Sequence, residues 1–344
     1  MPGISFRKTF LSSKIICCTF VNALPDTMSY KFLSTLLAAG GMLLIGACGV
    51  SQPVNDSASA ETGDAIVVTD VDFDPESKVL KNEPIANYLG SKLNKAGITR
   101  GEVKIAPDVD TLNEWMSSGE VNLYFDSIFP AMLVMEETGA QPILSRWKDG
   151  VAEYNTLFIT RKDSELDSLE SLQGNMLAMQ SPSSSSGFMF PVVELINADL
   201  NPVAKAEANH LVEDNEVGYV FAGEDEITVE WILNGKVQAG ALDSATWAEV
   251  SEDDKAELKV LAETVMYPRA VVVVGPNLSS DQVDIVKSVL MDMEESREGR
   301  EILEDFSDTV KFEEFPEGAD AAVSQLEDAY QSVKEHLAAQ EILN

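Results

Sequence analysis

Short apolar blocks and amphipathic stretches take turns along most of this chain. Residues 65–69 (AIVVT) are apolar and rich in β-branched side chains, the pattern of a buried strand. Pro84 opens a helical pattern in which Ile85, Tyr88, Leu89 and Leu93 share one face and Gly97 stands just past the end. Residues 103–106 (VKIA) predict a second strand. Leu112, Trp115 and Met116 predict a helix stopped by Gly119, and residues 121–125 (VNLYF) a third strand. The pattern resumes with a strand at 156–160 (TLFIT), a short helix at 168–173 before Gly174, and a strand at 176–179 (MLAM) that runs into a serine-rich turn and a helix. Further strands are predicted at 237–242, 258–261 and 270–274. A late amphipathic helix carries Val283, Val286, Val289, Leu290 and Met293, and the tail from residue 318 is helical and acidic.

Strand–helix–strand order predicts a doubly wound, mostly parallel sheet with flanking helices. The order runs once before Tyr154 and again after Arg161, so the expected α/β architecture has two lobes with a cleft between them. Lobe 1 is expected to hold residues 64–156 and 269–344, lobe 2 residues 157–268, with a hinge near Asn155 and Pro268. Ligands of open α/β sheets sit outside the carboxyl ends of the strands, so two facing lobes present two such edges to one ligand.

The first residues read as an address. Met28 to Lys31 are short and positive, and residues 32–47 (FLSTLLAAGGMLLIGA) carry no charge and close on Ile45-Gly46-Ala47-Cys48. A small pair before cysteine is what a lipoprotein signal peptidase reads, so residues 1–47 are expected to be a signal peptide, or residues 28–47 where translation starts at Met28, and Cys48 the lipidated first residue of the mature protein; an uncleaved transmembrane anchor is the alternative. Residues 48–63 are polar and aperiodic, a tether. The expected location is the cell envelope, periplasmic or extracytoplasmic, anchored to the membrane by lipid.

Charge narrows the partners. Lysine and arginine number 24 against 58 acids, a net charge of -34. Such a surface repels nucleic acid, which is excluded as a partner. Cysteine occurs only at positions 17, 18 and 48, and histidine only at 210 and 336. The globule therefore offers neither a disulfide nor a thiolate metal site, and little for histidine-based acid–base chemistry. No metal, cofactor or enzymatic activity is expected. Asp70-Val71-Asp72-Phe73-Asp74 opens like a calcium loop, but Pro75 stands where glycine is needed and Lys81 where glutamate is needed. This segment reads instead as a strand exit that places Phe73 near the cleft.

Four polar strand ends carry the candidate chemistry. The first is Ser181-Pro182-Ser183-Ser184-Ser185-Ser186-Gly187-Phe188, directly after a strand and before a helix. Unpaired amides and partial positive charge at a helix start, with serine hydroxyls beside them, form an anion seat that requires no formal cation. A hydrogen bond to a charged partner is worth about 1.5–3 kcal/mol, and micromolar binding needs roughly 8 kcal/mol, so a handful suffices. An N-cap in a serine loop is the plainer reading of the same residues. The other three are Asn122 to Ser127, which ends on Asp126-Ser127, Tyr219 to Glu226, which ends on three carboxylates, and Gly240 to Ser244, which ends on Asp243-Ser244. Each alone also fits a turn or helix cap.

Taken in order, these segments resemble the phosphate/phosphite/phosphonate-binding family of type II periplasmic binding proteins, the solute-binding components of ABC importers. The family's acid-Pro-x-Ser-Thr-Ser-Gly-Tyr turn is matched by residues 181–188, its Gly-x-x-x-Tyr segment by Gly150 to Tyr154, its D-x-L-x-x-L-x-G helix by Asp167 to Gly174, and its N-G-K-V-D-A-G-A strand by Asn234 to Ala241. The resemblance spans residues 65–278. It implies that Ser184, Ser185 and Ser186 hold the ligand oxygens, that Tyr154 donates its phenol from the other lobe, and that Asp243 is a pocket acid; Asp126, Ser127 and Phe73 are expected at the cleft from their places at strand ends. It departs where many members have Ser-His: here Glu224 and Asp225 follow Gly223. A carboxylate cannot donate to an oxyanion unless protonated. Asp225 and Asp243 are therefore expected to meet an amino group of the ligand or to be neutralised by Arg146, Lys148 or Arg269. The implied function is capture of a phosphonate-, phosphite- or phosphate-like small anion for an ABC permease and ATPase by a monomer. The alternatives are a ligand-sensing surface lipoprotein, an importer component for a sulfonate, vitamin precursor or amino-phosphonate, and, less favoured, an enzyme using the same cleft.

Overall fold

A computed structural model describes residues 65–72 and 75–340, with backbone alone at Asp320 and Gln325. The expected signal peptide, the tether, Cys48 and Phe73 lie outside the described residues. The chain begins with strand β1 (Ala65–Val71), helix α1 (Pro75–Lys92), β2 (Arg100–Ala106), α2 (Val109–Ser118), β3 (Leu123–Asp126), α3 (Ile128–Thr138) and β4 (Gln141–Trp147). A short strand β5 (Glu153–Tyr154) leads into a second region with β6 (Thr156–Arg161), β7 (Met176–Met179), α4 (Phe190–Asn197), β8 (Pro202–Ala204), β9 (Val217–Phe221), α5 (Asp225–Leu233), β10 (Ala239–Asp243), α6 (Ser244–Glu249), α7 (Glu252–Glu257) and β11 (Leu258–Glu263). The chain returns through β12 (Tyr267–Pro268) to β13 (Ala270–Val274), α8 (Ser280–Met291), α9 (Arg297–Asp305), β14 (Lys311–Glu313) and α10 (Ala319–Gln340).

These strands make two six-stranded sheets, one per lobe, ordered β14-β4-β13-β3-β1-β2 and β11-β6-β10-β7-β9-β8. Parallel pairs join β1 to β2 and β3 in the first sheet, and β7 to β9 and β10, and β8 to β9, in the second. The antiparallel pairs come from the strands that carry the chain between lobes. β6 starts at Thr156, opposite the end of β10 at Asp243, and β13 starts beside the end of β3, with Val271 opposite Asp126. A strand entering from the edge where its neighbours exit must run against them. The crossings themselves, β5 and β12, pair antiparallel with Tyr267 opposite Tyr154 and Pro268 opposite Glu153. The connections between lobes thus reach both sheets at the ends where ligands of α/β proteins bind.

Both sheets are buried on both faces. Ile66 and Val68 of β1 pack with Ile85, Leu89 and Leu93 of α1 and its extension, while Val67 faces the side of Leu112 and Met116 from α2. β13 divides likewise, Val271 and Val273 to one side and Val272 and Val274 to the other. Continuous valine runs suit such central strands. Two expectations shift. The first helix starts at Pro75 rather than Pro84, and Pro84 lies inside it. Residues 168–173 form only a single 3₁₀ turn, Glu170–Leu172.

The last helix touches both lobes. Lys334 of α10 bonds Glu136 of α3 at 2.7 Å, and Tyr330 donates to the same carboxylate. Further along, His336 Nε2 lies 2.9 Å from the Tyr219 hydroxyl of β9, and Gln340 accepts the Ala204 amide of β8 at 3.2 Å. Among the described residues no helix is long and apolar enough to cross a membrane.

Candidate functional site

A cavity of about 500 Å³ opens between the two sheets, at the carboxyl ends of β1, β3, β7 and β10. Ser184, Ser185, Ser186, Tyr154, Ser127, Asp126, Asp225 and Asp243 all line it. Of the residues expected at the site, only Phe73 is not placed there, since it lies outside the described residues.

The serine segment is shaped by its own turn. Ser184 is extended and its Oγ accepts the Gly187 amide at 2.9 Å, so it caps the helix that follows. The first turn, Ser185–Met189, is a π-turn closed by the Met189 amide on the Ser184 carbonyl, and α4 continues from it. The amides of Ser185 and Ser186 come before that first helical bond, where a helix carries its partial positive charge. A Cβ at Gly187 would lie 2.5 Å from Gln180 Cβ and 2.9 Å from Ser184 Oγ, so glycine is required for the turn to fold back on Gln180. Ser185 is buried, and its Oγ accepts the Phe129 amide of α3, from the other lobe, at 2.9 Å. The Thr156 hydroxyl donates to the Ser186 carbonyl at 2.6 Å and pins the turn to the first residue of β6.

The opposite wall is basic. Lys78, Lys81, Arg146, Lys148 and Arg269 line the cavity beside Asp70, Asp126, Asp225 and Asp243. Five cations against four acids is a local reversal in a chain with 58 acids and 24 bases. The cation-free cavity expected around the serine turn is thus corrected: five basic side chains line it with the serines. Arg146 is 4% exposed, held by Nε to Thr309 Oγ1 at 3.0 Å and by a terminal nitrogen to the Phe306 carbonyl at 2.8 Å, with its guanidinium 4.0 Å from the Phe306 ring. Burial lowers it to about 10, leaving it charged at neutral pH. Burial, and then Arg269, lower the Lys148 ammonium. Arg269 pairs with Asp149 and lies 4.5 Å from the Tyr154 ring, while its buried Nε has no partner among the described residues. Burial raises the Tyr154 phenol, opposed by Arg269 and by hydrogen bonds with Ser186 and Ser185. The phenol remains a donor.

The acids differ in how far the protein itself satisfies them. Asp70 is paired with Lys78 at 2.8 Å. Asp126 accepts the Tyr124 hydroxyl, the Ser127 amide at 2.6 Å and the Ser127 hydroxyl at 3.2 Å. Asp243 caps α6, its Oδ1 accepting the amides of Ala245 at 2.8 Å and Thr246 at 3.0 Å. Asp243 thus caps α6 and at the same time lines the cavity. Asp225 opens α5 and is 8% exposed. Burial, then Asp243 and Glu226, push its carboxyl up to about 7. In the sequence Arg146 and Lys148 stand out only as possible neutralisers of acids, in the Arg-Trp-Lys that follows the Pro142-Ile143-Leu144 run, and nothing marks Lys78. Among the described residues no group of three or more His, Cys, Asp or Glu side chains is placed to hold a metal ion.

Comparison with solved structures places the fold among type II periplasmic binding proteins. XAC2383 from Xanthomonas citri, bound to a chloride ion, is 25% identical, with a TM-score of 0.74 over 79% of this chain and 99% of that one. The same protein bound to ATP matches at 24% identity and a TM-score of 0.73, over 80% and 99%. PhnD1 from Prochlorococcus marinus, in complex with methylphosphonate, is 18% identical with a TM-score of 0.55, over 79% and 99%. The family model for the phosphonate periplasmic substrate-binding protein of ABC transporters matches residues 70–320. This chain therefore belongs to the periplasmic substrate-binding proteins of the ABC phosphonate transporter family.

Proposed function

We propose that this protein captures a phosphonate-, phosphite- or phosphate-like anion in the cavity between its lobes and delivers it intact to an ABC permease and its ATPase. The observation that carries the reading is the pairing of two anion-binding devices across one cavity. The serine-headed helix start of lobe 2 faces Arg146, Lys148 and Arg269 on the other wall. A cavity of about 500 Å³ suits a small metabolite. The lobes close by rotation about the β5–β12 ribbon, residues flanking Asn155 and Pro268, with lobe 1 comprising residues 64–156 and 269–344 and lobe 2 residues 157–268. The site residues are Ser184, Ser185, Ser186, Tyr154, Ser127, Asp126, Asp225 and Asp243. The protein works as a monomer, held at the membrane by acyl chains on Cys48, and performs no turnover.

The test is calorimetric titration of the ligand-stripped protein with phosphite, phosphate, methylphosphonate and 2-aminoethylphosphonate. Binding of at least one, with the ligand recovered unchanged, is the expected result; no heat from any of the four overturns the ligand class. A Cys48→Ser variant that still partitions with membranes in the native host overturns the lipid anchor.

A further inference from the structure

Asp225 differs from every other acid of the cavity wall in one respect. Asp70, Asp126 and Asp243 meet a lysine, a tyrosine or backbone amides at short range. Asp225 receives the Gln180 side chain at 3.1 Å and the Thr246 hydroxyl at 3.5 Å, both on Oδ2. Its Oδ1 is buried and has no partner among the described residues. A buried carboxylate oxygen without a donor costs roughly as much as a lost charge-assisted hydrogen bond, so such an atom calls for a missing donor or a proton.

Among the described residues nothing close to Asp225 supplies that donor. Around it stand Gln180 at the end of β7, Glu224 and Glu226 on its own element, Asp243 at the end of β10 and Thr246 on α6. The charged groups facing it are all acids, and the cations of the cavity come from the other lobe. Burial, and then repulsion from these acids, keep a proton within reach near neutrality. A bound ligand that carries its own O–H supplies the same proton from the other side.

We propose that Asp225 is a specificity residue that shares one proton with the bound anion, so that the cavity selects oxyanions retaining an ionisable O–H over permanently deprotonated ones such as sulfonates. The inference rests on the oxyanion reading of the cavity and narrows it. A phosphonate monoanion donates its O–H to Asp225, and the remaining oxygens face the serine turn and the cations. A phosphonate dianion binds when Asp225 itself holds the proton and donates it. In both cases the pair contains one proton and one hydrogen bond. A sulfonate has no proton to give, so it binds only to protonated Asp225 and meets repulsion once Asp225 ionises.

The experiment is titration of the full mature protein and of Asp225→Asn with methylphosphonate and methanesulfonate, near pH 6 and near pH 8. At the higher pH the wild type is expected to prefer methylphosphonate by at least about 10-fold, the worth of one charge-assisted hydrogen bond. Its affinity for methanesulfonate should rise as the pH falls. Asp225→Asn should cut the preference to within about 3-fold and flatten the sulfonate profile, and Asp225→Ser, a second variant without the carboxylate, should do the same. An unchanged preference in the variants, or a methanesulfonate affinity independent of pH in the wild type, overturns the proton-sharing role while leaving the oxyanion reading intact. Failure of the wild type to bind either anion overturns the oxyanion reading and this inference with it.

Discussion

The Ser185 hydroxyl of lobe 2 accepts the backbone amide of Phe129 in lobe 1 at 2.9 Å. Phe129 is the second residue of α3, so a serine from one helix start holds an otherwise free amide of another. One bond thereby joins the serine turn to the facing lobe. Ser185→Ala should remove that bond and weaken ligand binding by about 2- to 10-fold, the range of a neutral hydrogen bond, with little change in thermal stability. Small-angle scattering of the ligand-bound variant should show a larger fraction of open molecules. An unchanged affinity would mean that the bond has no part in closure.

Gly187→Ala tests the turn. The added methyl would meet Gln180 Cβ at 2.5 Å, a backbone-proximal atom that cannot swing away. The expected outcome is a stability loss of about 1–3 kcal/mol in denaturant titration, with ligand binding lost by at least 10-fold. Binding at wild-type strength would mean that the serine turn does not form the seat.

Arg146→Met removes a cavity charge while retaining bulk against Phe306. It leaves the Thr309 hydroxyl without its donor and the Phe306 carbonyl with the Thr309 hydroxyl alone, at a cost of about 1–3 kcal/mol. Oxyanion affinity should fall by at least about 10-fold, and its salt dependence should weaken, both read by calorimetry at two ionic strengths. A variant that folds and binds as tightly as wild type would remove Arg146 from the site.

Asp225 also ties stability to pH. Its carboxyl lies near 7 in the folded protein against 3.8 for the ordinary group. Between these values the folded state holds the proton and the unfolded state does not, so this contribution is full at low pH and is lost as pH rises through about 7. The slope is at most about 1.4 kcal/mol per pH unit. Asp225→Asn should therefore gain stability relative to wild type as pH rises from about 4 to about 7, measured by urea unfolding at a series of pH values. A constant difference across that range would contradict the assignment.

The serine turn could be read in the sequence because its parts are contiguous: strand, Ser-Pro, four serines, glycine and helix follow one another within a few residues. The basic wall could not, because β4 hides in the pattern. Gln141, Ser145 and Arg146 break the alternation that marks a strand, and only the pairing of β4 with β13, with Ala270 opposite Arg146, brings the arginine to the cavity. Pro84 misled for a local reason. Proline is a good helix opener, but here α1 already runs from Pro75 and tolerates a second proline in its interior. The double contact of α10 with both lobes is tertiary throughout, since the bonds from Tyr330 and His336 reach residues more than a hundred positions away.

A crystal structure of the protein with methylphosphonate bound is the most direct check. The phosphonate oxygens should lie within hydrogen-bonding distance of the Ser185 and Ser186 amides on one side and of Arg146, Lys148 or Arg269 on the other. Electron density for the ligand outside this cavity, or inside it but turned away from the serine turn, would contradict the account.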